Sequence, residues 1–296
     1  MVPVSISRLK LPLAVAIFTF SWACAWVGIR AAVAHLSPPH VALSRYVVAS
    51  LVLLPIWLWR RPKIETRDFP IIFIMGLCGF TLYNLAINAG EKTITAGAAS
   101  LIASTIPIFT TLAASVFLKE NVSRAAWTGI AISLSGVALI AFGEKDGVGF
   151  SSGAILVVLA AFCAAAYGLM QKKLLSRYNA LDLTTASIWC GTLALLPFSS
   201  GLWTELRQAP ASAVWTVVFL GVFPGAIGYV LWSYALARMP VARIMSFLYL
   251  VPAISIGLGW LFLSEFPAPI SLAGGTIALS GVIYTNTRKK GPYKNE

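Results

Sequence analysis

Trp22 and Trp26 stand four residues apart, so a helix carrying them presents both indoles on one face. Further rings fall inside other apolar stretches: Tyr83, Tyr167, Tyr229, Trp232 and Tyr249. Near them are polar groups, Asn84, Asn88 and Ser104, and one guanidinium, Arg45. Ring faces hold flat apolar solutes, amides and hydroxyls orient them, and a guanidinium takes a carboxylate. This is the chemistry of binding rather than of bond making. Each ring alone packs a core or belts a membrane interface as readily as it meets a solute. The set, together with the spacing described below, points to an aromatic-lined cavity.

Groups that break or make bonds are missing. No Ser–His–acid arrangement and no paired carboxylates fall within the apolar runs, so no catalytic residue is assigned and the chain reads as a non-enzyme. His35 and His40 are the only histidines, too few for a metal site, and are expected at the membrane interface, His40 close to Arg45. Cys24, Cys78, Cys163 and Cys190 form no C-x-x-C and behave as small apolar residues. A glycine loop ending in Gly-Lys-Ser/Thr, which would cradle a nucleotide, is absent. No cofactor or metal is expected.

The elements that position these groups are read from hydropathy. Of 296 residues, 58% are hydrophobic and 11% charged, and the mean hydropathy is +0.84. Soluble domains carry about a quarter charged residues. Ten apolar runs are each long enough to cross a bilayer: 11–34, 40–59, 69–90, 95–118, 125–142, 152–171, 181–200, 212–236, 241–263 and 269–287. They leave no room for a soluble domain, and they are too continuous for barrel strands. The first run resembles a signal peptide but is longer than a cleavable segment, so it is expected to stay as a helix. The expected fold is an all-α membrane protein of ten transmembrane helices.

Charge orients it. With the amino terminus in the cytoplasm, alternate loops collect 17 of the 22 Lys and Arg on that side. Arg30, Lys92, Lys145 and Arg207 fall on the other, and Arg45 lies within the second run. Translocating Lys and Arg is disfavoured, so both termini are expected in the cytoplasm. The net charge of +12 is thereby explained without nucleic acid.

The chain also repeats itself. PIFTTLAASVFLKE at 107–120 reappears as PAISIGLGWLFLSE at 252–265, a shift of 145 residues. The same shift carries ISLSGV at 132–137 onto IALSGV at 277–282 and Trp22 onto Tyr167. It sets Tyr83 and Asn84 against Gly228 and Tyr229, and Ser104 against Tyr249. Two five-helix units follow, at 1–145 and 150–290, and an odd helix number inverts the second. Inverted units exchange conformations about a midplane site, the arrangement of alternating-access carriers. Pro107 and Pro252, at matching positions, are expected hinges. Gly129 with Ser133, and Gly274 with Ala278, permit close helix contact, as scaffold or as the face of a homodimer.

Pro107, Phe117, Leu118, Glu120, Gly129 and Ser135-Gly136, with Pro252, Phe262, Leu263, Glu265, Gly274 and Ser280-Gly281, resemble the EamA-type branch of the drug/metabolite transporter superfamily. The resemblance covers essentially the whole chain and implies export of small metabolites through a cavity between helices 1–4 and 6–9. It is greatest to bacterial exporters of aromatic amino acids, which implies a multi-pass protein of the cell inner membrane, a monomer or homodimer, with a small-molecule substrate. Another metabolite or a drug is the alternative cargo, and a non-transporting membrane enzyme or scaffold the alternative class.

All ten acidic residues fall at helix ends, in loops or at a terminus. That suits facilitated diffusion or exchange of a neutral or zwitterionic solute better than a proton antiporter built on a buried carboxylate. Arg45 either holds a substrate carboxylate or snorkels to the outer interface.

Overall fold

The computed structural model describes residues 6–110, 124–143, 151–239, 244 and 247–287. Among these residues every regular element is helical. In chain order they are α1 (Ile6–Val33), α2 (Pro38–Arg60), α3 (Thr66–Gly90), α4 (Ala96–Thr110), α5 (Arg124–Gly143), α6 (Ser152–Leu174), α7 (Ala180–Leu195), α8 (Ala211–Arg238), α9 (Leu250–Leu263) and α10 (Pro269–Thr287). A short helix, Leu202–Gln208, lies between α7 and α8. α1, α2, α3, α6, α8 and α7 together with the turn that extends it to Ser199 are long and apolar enough to cross a membrane, and α4, α5, α9 and α10 hold shorter apolar segments. The motif residues Phe117, Leu118 and Glu120, and the cations Lys119 and Arg243, lie outside the described residues.

Local chemistry sets the helix ends. α2 opens on Pro38-Pro39, where the missing N–H groups would have no helical partner. The Thr95 side chain accepts from the Ala98 N–H at the start of α4, and Asn179 caps α7 through the Leu181 N–H. One end of the bundle gathers Arg60, Arg61, Arg67, Lys172, Lys173 and Arg177 and is called the basic end below. There Arg60 forks onto Asp182 at 2.9 and 3.2 Å, and Arg177 meets Asp68 at 2.8 Å. The opposite, far end holds Arg30, His40, Glu91, Glu205 and Glu265.

α1 packs against α4, α8 and α9; α2 against α7 and α8; and α3 against α6 and α7. α5 and α10 lie along one another, with Gly136 against the backbone of Gly274 and Ala278, and Gly281 against Gly129 and Ser133. The Ser133 hydroxyl donates to Ala278 O at 3.0 Å across this seam. Large apolar side chains cover the outside, among them Leu51, Leu58, Leu159 and Phe262. Trp59, 84% exposed, and Trp203, Trp215 and Trp260 stand out from it as interface anchors do.

Two irregularities shape the interior. α3 widens into a π turn at Leu77–Leu82, and α8 does so at Gly221–Gly228. At the 145-residue offset these stretches overlap, Gly76 falling on Gly221. α4 breaks at Ser104–Thr105, three residues before Pro107, where the proline ring would crowd the Ala103 carbonyl. The hydroxyls of Ser104 and Thr105 donate to Leu101 O and Ile102 O, both at 2.6 Å, so these two carbonyls at the break are satisfied. In the second half Tyr249 sits in a turn and α9 starts at Leu250, which places Pro252 in a first turn that needs no helical N–H partner.

Candidate functional site

The π turns let aromatic rings meet. Gly79 faces the Tyr167 ring so closely that a Cβ there would lie 2.5 Å from Cδ2, and Gly228 faces the Trp22 indole, with a Cβ position 3.1 Å from Nε1. π turns in helices recur at functional sites for this reason: the extra residue re-aims side chains. Trp22 packs on Trp232 and on Tyr229 with centroids 5.2 Å apart in both cases. Tyr229 lies 4.8 Å from Phe80, which meets Tyr167 edge-on at 5.3 Å.

Trp22, Tyr167, Tyr229 and Trp232 wall a cavity of about 150 Å³ between α1, α2, α3, α4, α6, α8 and α9. An apolar void of about this size accepts one benzene-sized ring, so in this conformation it seats the ring of a solute, and the cavity must widen to take a larger whole. Of the sequence-predicted residues, Trp22, Trp26, Arg45, Tyr83, Ser104, Tyr167, Tyr229 and Trp232 line it. It runs from Ile29 and Ile87, toward the far end, to Lys172, Leu236 and Leu248, toward the basic end. The Lys172 ammonium is held there by donation to Leu236 O at 2.8 Å.

Three predicted residues do not line it. Asn84, fully buried, takes an Arg45 N–H on its Oδ1 at 3.1 Å and donates to the Tyr46 hydroxyl at 3.0 Å, so it supports the wall from behind. Asn88 donates to Pro38 O at 3.0 Å and ties α3 to the start of α2. Tyr249 packs beside Ile108, Ile130 and Val282, away from the cavity. In each case a polar or aromatic residue of an apolar run meets a neighbouring helix rather than the cavity.

Sequence reasoning missed Gln171. It donates to the Tyr167 hydroxyl at 2.6 Å and to Ser233 at 2.8 Å, and accepts the Trp232 indole N–H at 3.1 Å. The amide locks two cavity rings in place. Its signal was its position four residues beyond Tyr167, on the same face of α6.

The electrostatics are asymmetric. Arg45 is 3% exposed, crosses the Tyr46 ring at 5.3 Å, and makes no ion pair among the described residues. It does not snorkel to the interface. Its Nε and the Trp22 Nε1 are both buried donors without a hydrogen-bond partner among the described residues. The two flank the same π turn of α8, Arg45 Nε beside Gly225 and Trp22 Nε1 beside Gly228. Among the described residues no Asp or Glu lines the cavity. Two unused donors against an apolar wall are complementary to an anion carried on an apolar body.

His40 does not approach the Arg45 guanidinium within hydrogen-bonding distance. Its Nδ1 lies 2.6 Å from Glu205 Oε2 and its Nε2 lies 2.9 Å from Ser200 O. Glu205 also accepts the Ser37 N–H at 2.9 Å. Burial pushes the Glu205 pKa up, but the Ser37 N–H and hydroxyl and His40 outweigh it and hold it below the ordinary value.

The expectation that no carboxylate is buried fails at Glu91. It stands at a helix end by sequence, yet it is 0% exposed, because α1 and the residues after α9 cover that end. Arg30 reaches across it, donating from NH1 to Glu91 O at 2.6 Å and from Nε to Glu265 at 2.9 and 3.1 Å. Glu265 is aimed there by Ser264, a non-glycine residue at φ 54°.

Comparison with known proteins bears on what passes through this cavity. The transporter YdfC of Bacillus subtilis is 37% identical over 89% of this chain and 87% of its own. A probable terminal-alkyne amino-acid exporter of Streptantibioticus cattleyicolor is 36% identical over 92% of this chain and 91% of its own. A probable amino-acid metabolite efflux pump of Salmonella typhimurium is 24% identical over 90% of each chain. A solved crystal structure, 17% identical, superposes with a TM-score of 0.62 over 94% of this chain and 99% of that one, a likeness of fold alone. The EamA-like transporter family model matches twice, over residues 10–142 and 151–287. The chain is therefore a member of the EamA-like transporter family, a multi-pass transporter of the inner membrane.

Proposed function

We propose that this transporter exports amino acids with aromatic side chains. The observation that carries the reading is the pair of unpartnered donors, Arg45 Nε and Trp22 Nε1, on two residues of a ring-walled cavity that no acid lines among the described residues. A substrate carboxylate takes the donors, the side chain stacks among Trp22, Tyr167, Tyr229 and Trp232, and the hydroxyls of Ser100 and Ser104 offer lone pairs to its ammonium. The relatives named for export of amino acids or their metabolites support the same class.

The cycle we infer is alternating access between two inverted five-helix halves, 1–145 and 150–290, with both termini in the cytoplasm and ten membrane crossings. The double family match and the offset π turns support the halves. The break at Ser104 and the turn at Tyr249 are where α4 and α9 would bend, with Pro107 and Pro252 as the hinge residues.

Uptake of labelled phenylalanine into proteoliposomes is the test. Saturable uptake competed by tyrosine and tryptophan is expected. Arg45→Ala should weaken it by about 10- to 100-fold in KM, the equivalent of one lost charge-assisted hydrogen bond of ~1.5–3 kcal/mol. No uptake above empty liposomes would reject the reading. Since no lining carboxylate waits for an ammonium, an aromatic acid without the amine is the second reading. Stronger competition by phenylpyruvate than by phenylalanine would select it.

A further inference from the structure

Glu91 is the first residue beyond the Thr66–Gly90 span, at the far end of α3. Both of its carboxylate oxygens are buried without a hydrogen-bond partner among the described residues. An ionised carboxylate so placed is costly unless paired, and such a group takes up a proton instead. The charged groups facing it are Arg30 of α1, Arg45 of α2 and Glu265 beyond α9. Tyr83 lies two turns back on its own helix. The first turn of α6, which packs on Gly90 through Gly153 and Val157, carries no titratable group, and neither do residues 96–103 of α4. Arg30, the nearest cation, spends its Nε and NH2 on the Glu265 carboxylate and its NH1 on the Glu91 backbone carbonyl. The Glu91 side chain is thus left out of a pairing that lies within one arginine's reach. Burial drives its pKa well above the ordinary carboxylate value, while Arg30 and Arg45 pull the other way.

These three residues sit at the end of the substrate path. Ile29 and Ile87 line the far part of the cavity, Arg30 is the next residue of α1, and Glu91 lies one turn beyond Ile87. The Arg30–Glu265 pair joins α1 to the segment after α9, and the Arg30–Glu91 carbonyl bond joins α1 to α3, so this layer closes the far end. We propose that Glu91 is a proton-binding carboxyl of the transport cycle: it holds a proton while the far end is closed and releases it to water when that end opens, competing then with Glu265 for Arg30. The proton is the ligand, and the exchange is the single equilibrium between carboxylic acid and carboxylate plus proton. The inference relies on the transporter reading only in that the far end must open; it does not depend on the substrate.

The sign follows from linkage. The closed state binds the extra proton, so it is favoured at low pH and loses ground as pH rises from the open-state to the closed-state pKa of Glu91. Within that window one proton changes the open-to-closed ratio by about tenfold per pH unit.

The measurement is a distance across the far end. Spin labels at Lys92→Cys and Phe266→Cys, in a chain whose four cysteines are replaced by alanine, are read by pulsed electron resonance in nanodiscs from about pH 5 to pH 9. The long-distance population should grow as pH rises. Glu91→Gln, a fixed mimic of the protonated form, should hold the short distance at every pH, and Glu91→Asp should restore the response. A pH response that survives in Glu91→Gln, or a wild-type distance that ignores pH, overturns the proposal. Phenylalanine uptake is measured on parallel unlabelled samples. A distance governed by Glu91 in a protein that moves no amino acid would uphold this inference and reject the substrate assignment.

Discussion

At the scale of single residues, polarity inside an apolar helix is a debt that some neighbour settles, and sequence does not say which. Trp22, Trp26, Tyr83, Ser104, Tyr167, Tyr229, Trp232 and Arg45, which line the cavity, were all picked out from sequence: Trp22 and Trp26 share a helix face, Trp22 falls on Tyr167 across the repeat, and Arg45 is the one charge within an apolar run. Asn84 and Asn88 carry the same signal and answer to Arg45, Tyr46 and Pro38 instead. Glu91 was hidden for the opposite reason. A helix-end acid is ordinarily solvated, and only tertiary packing covers this one. Glu205 offers a check at this scale. Its carboxylate serves Ser37 and His40 with a lowered pKa, so its stabilising effect is present above the ordinary carboxylate pKa of about 4.3 and is lost as pH falls through the lowered value. Glu205→Gln should therefore lower the thermal midpoint of the detergent-solubilised protein at pH 7, and the gap from wild type should close below about pH 4.

Elements were read well where length and apolar character suffice. All ten apolar runs contain a described helix, and the caps at Pro38 and Thr95 follow residue type. The π turns were not legible. Leu77–Leu82 and Gly221–Gly228 are apolar on every side, so one inserted residue disturbs no amphipathic pattern that could be seen to slip. The contact of α5 with α10 was visible as small residues at fixed spacing, and its choice of partner was not. A Cβ on Gly136 would stand 2.4 Å from Ala278 N and Gly274 O, both backbone atoms that cannot step aside. Gly136→Ala should cost about 1–3 kcal/mol, as overpacking does, and lower the midpoint of detergent-induced unfolding, while Ser135→Ala on the exposed side of α5 should leave it unchanged.

For the whole molecule, composition alone set the class: the apolar coat over α2, α6 and α9 is what a bilayer covers. Which end faces the cytoplasm rests on the bias of Lys and Arg. In cysteine-less protein expressed in intact cells, Cys introduced at Ser176, on the basic end, should resist a membrane-impermeant thiol reagent until the membrane is broken. Cys introduced at Lys92 should react at once. The reverse pattern would invert the chain and with it the direction of export.

The π turns carry one more consequence. Each holds a residue of slack that an α-helix would not accommodate, since a residue advances a helix by about 1.5 Å and swings it by about 100°. Drawing Leu77–Leu82 into regular α-helical winding, with no residue removed, would therefore screw the rest of α3 round by that angle. Tyr83 would leave the cavity wall, Asn84 would drop its hold on Arg45, and Glu91 would turn away from Arg30. The wall of the binding site and the proton carboxyl at its far end share one thread of pitch, so a change of winding in a single turn would reset both together.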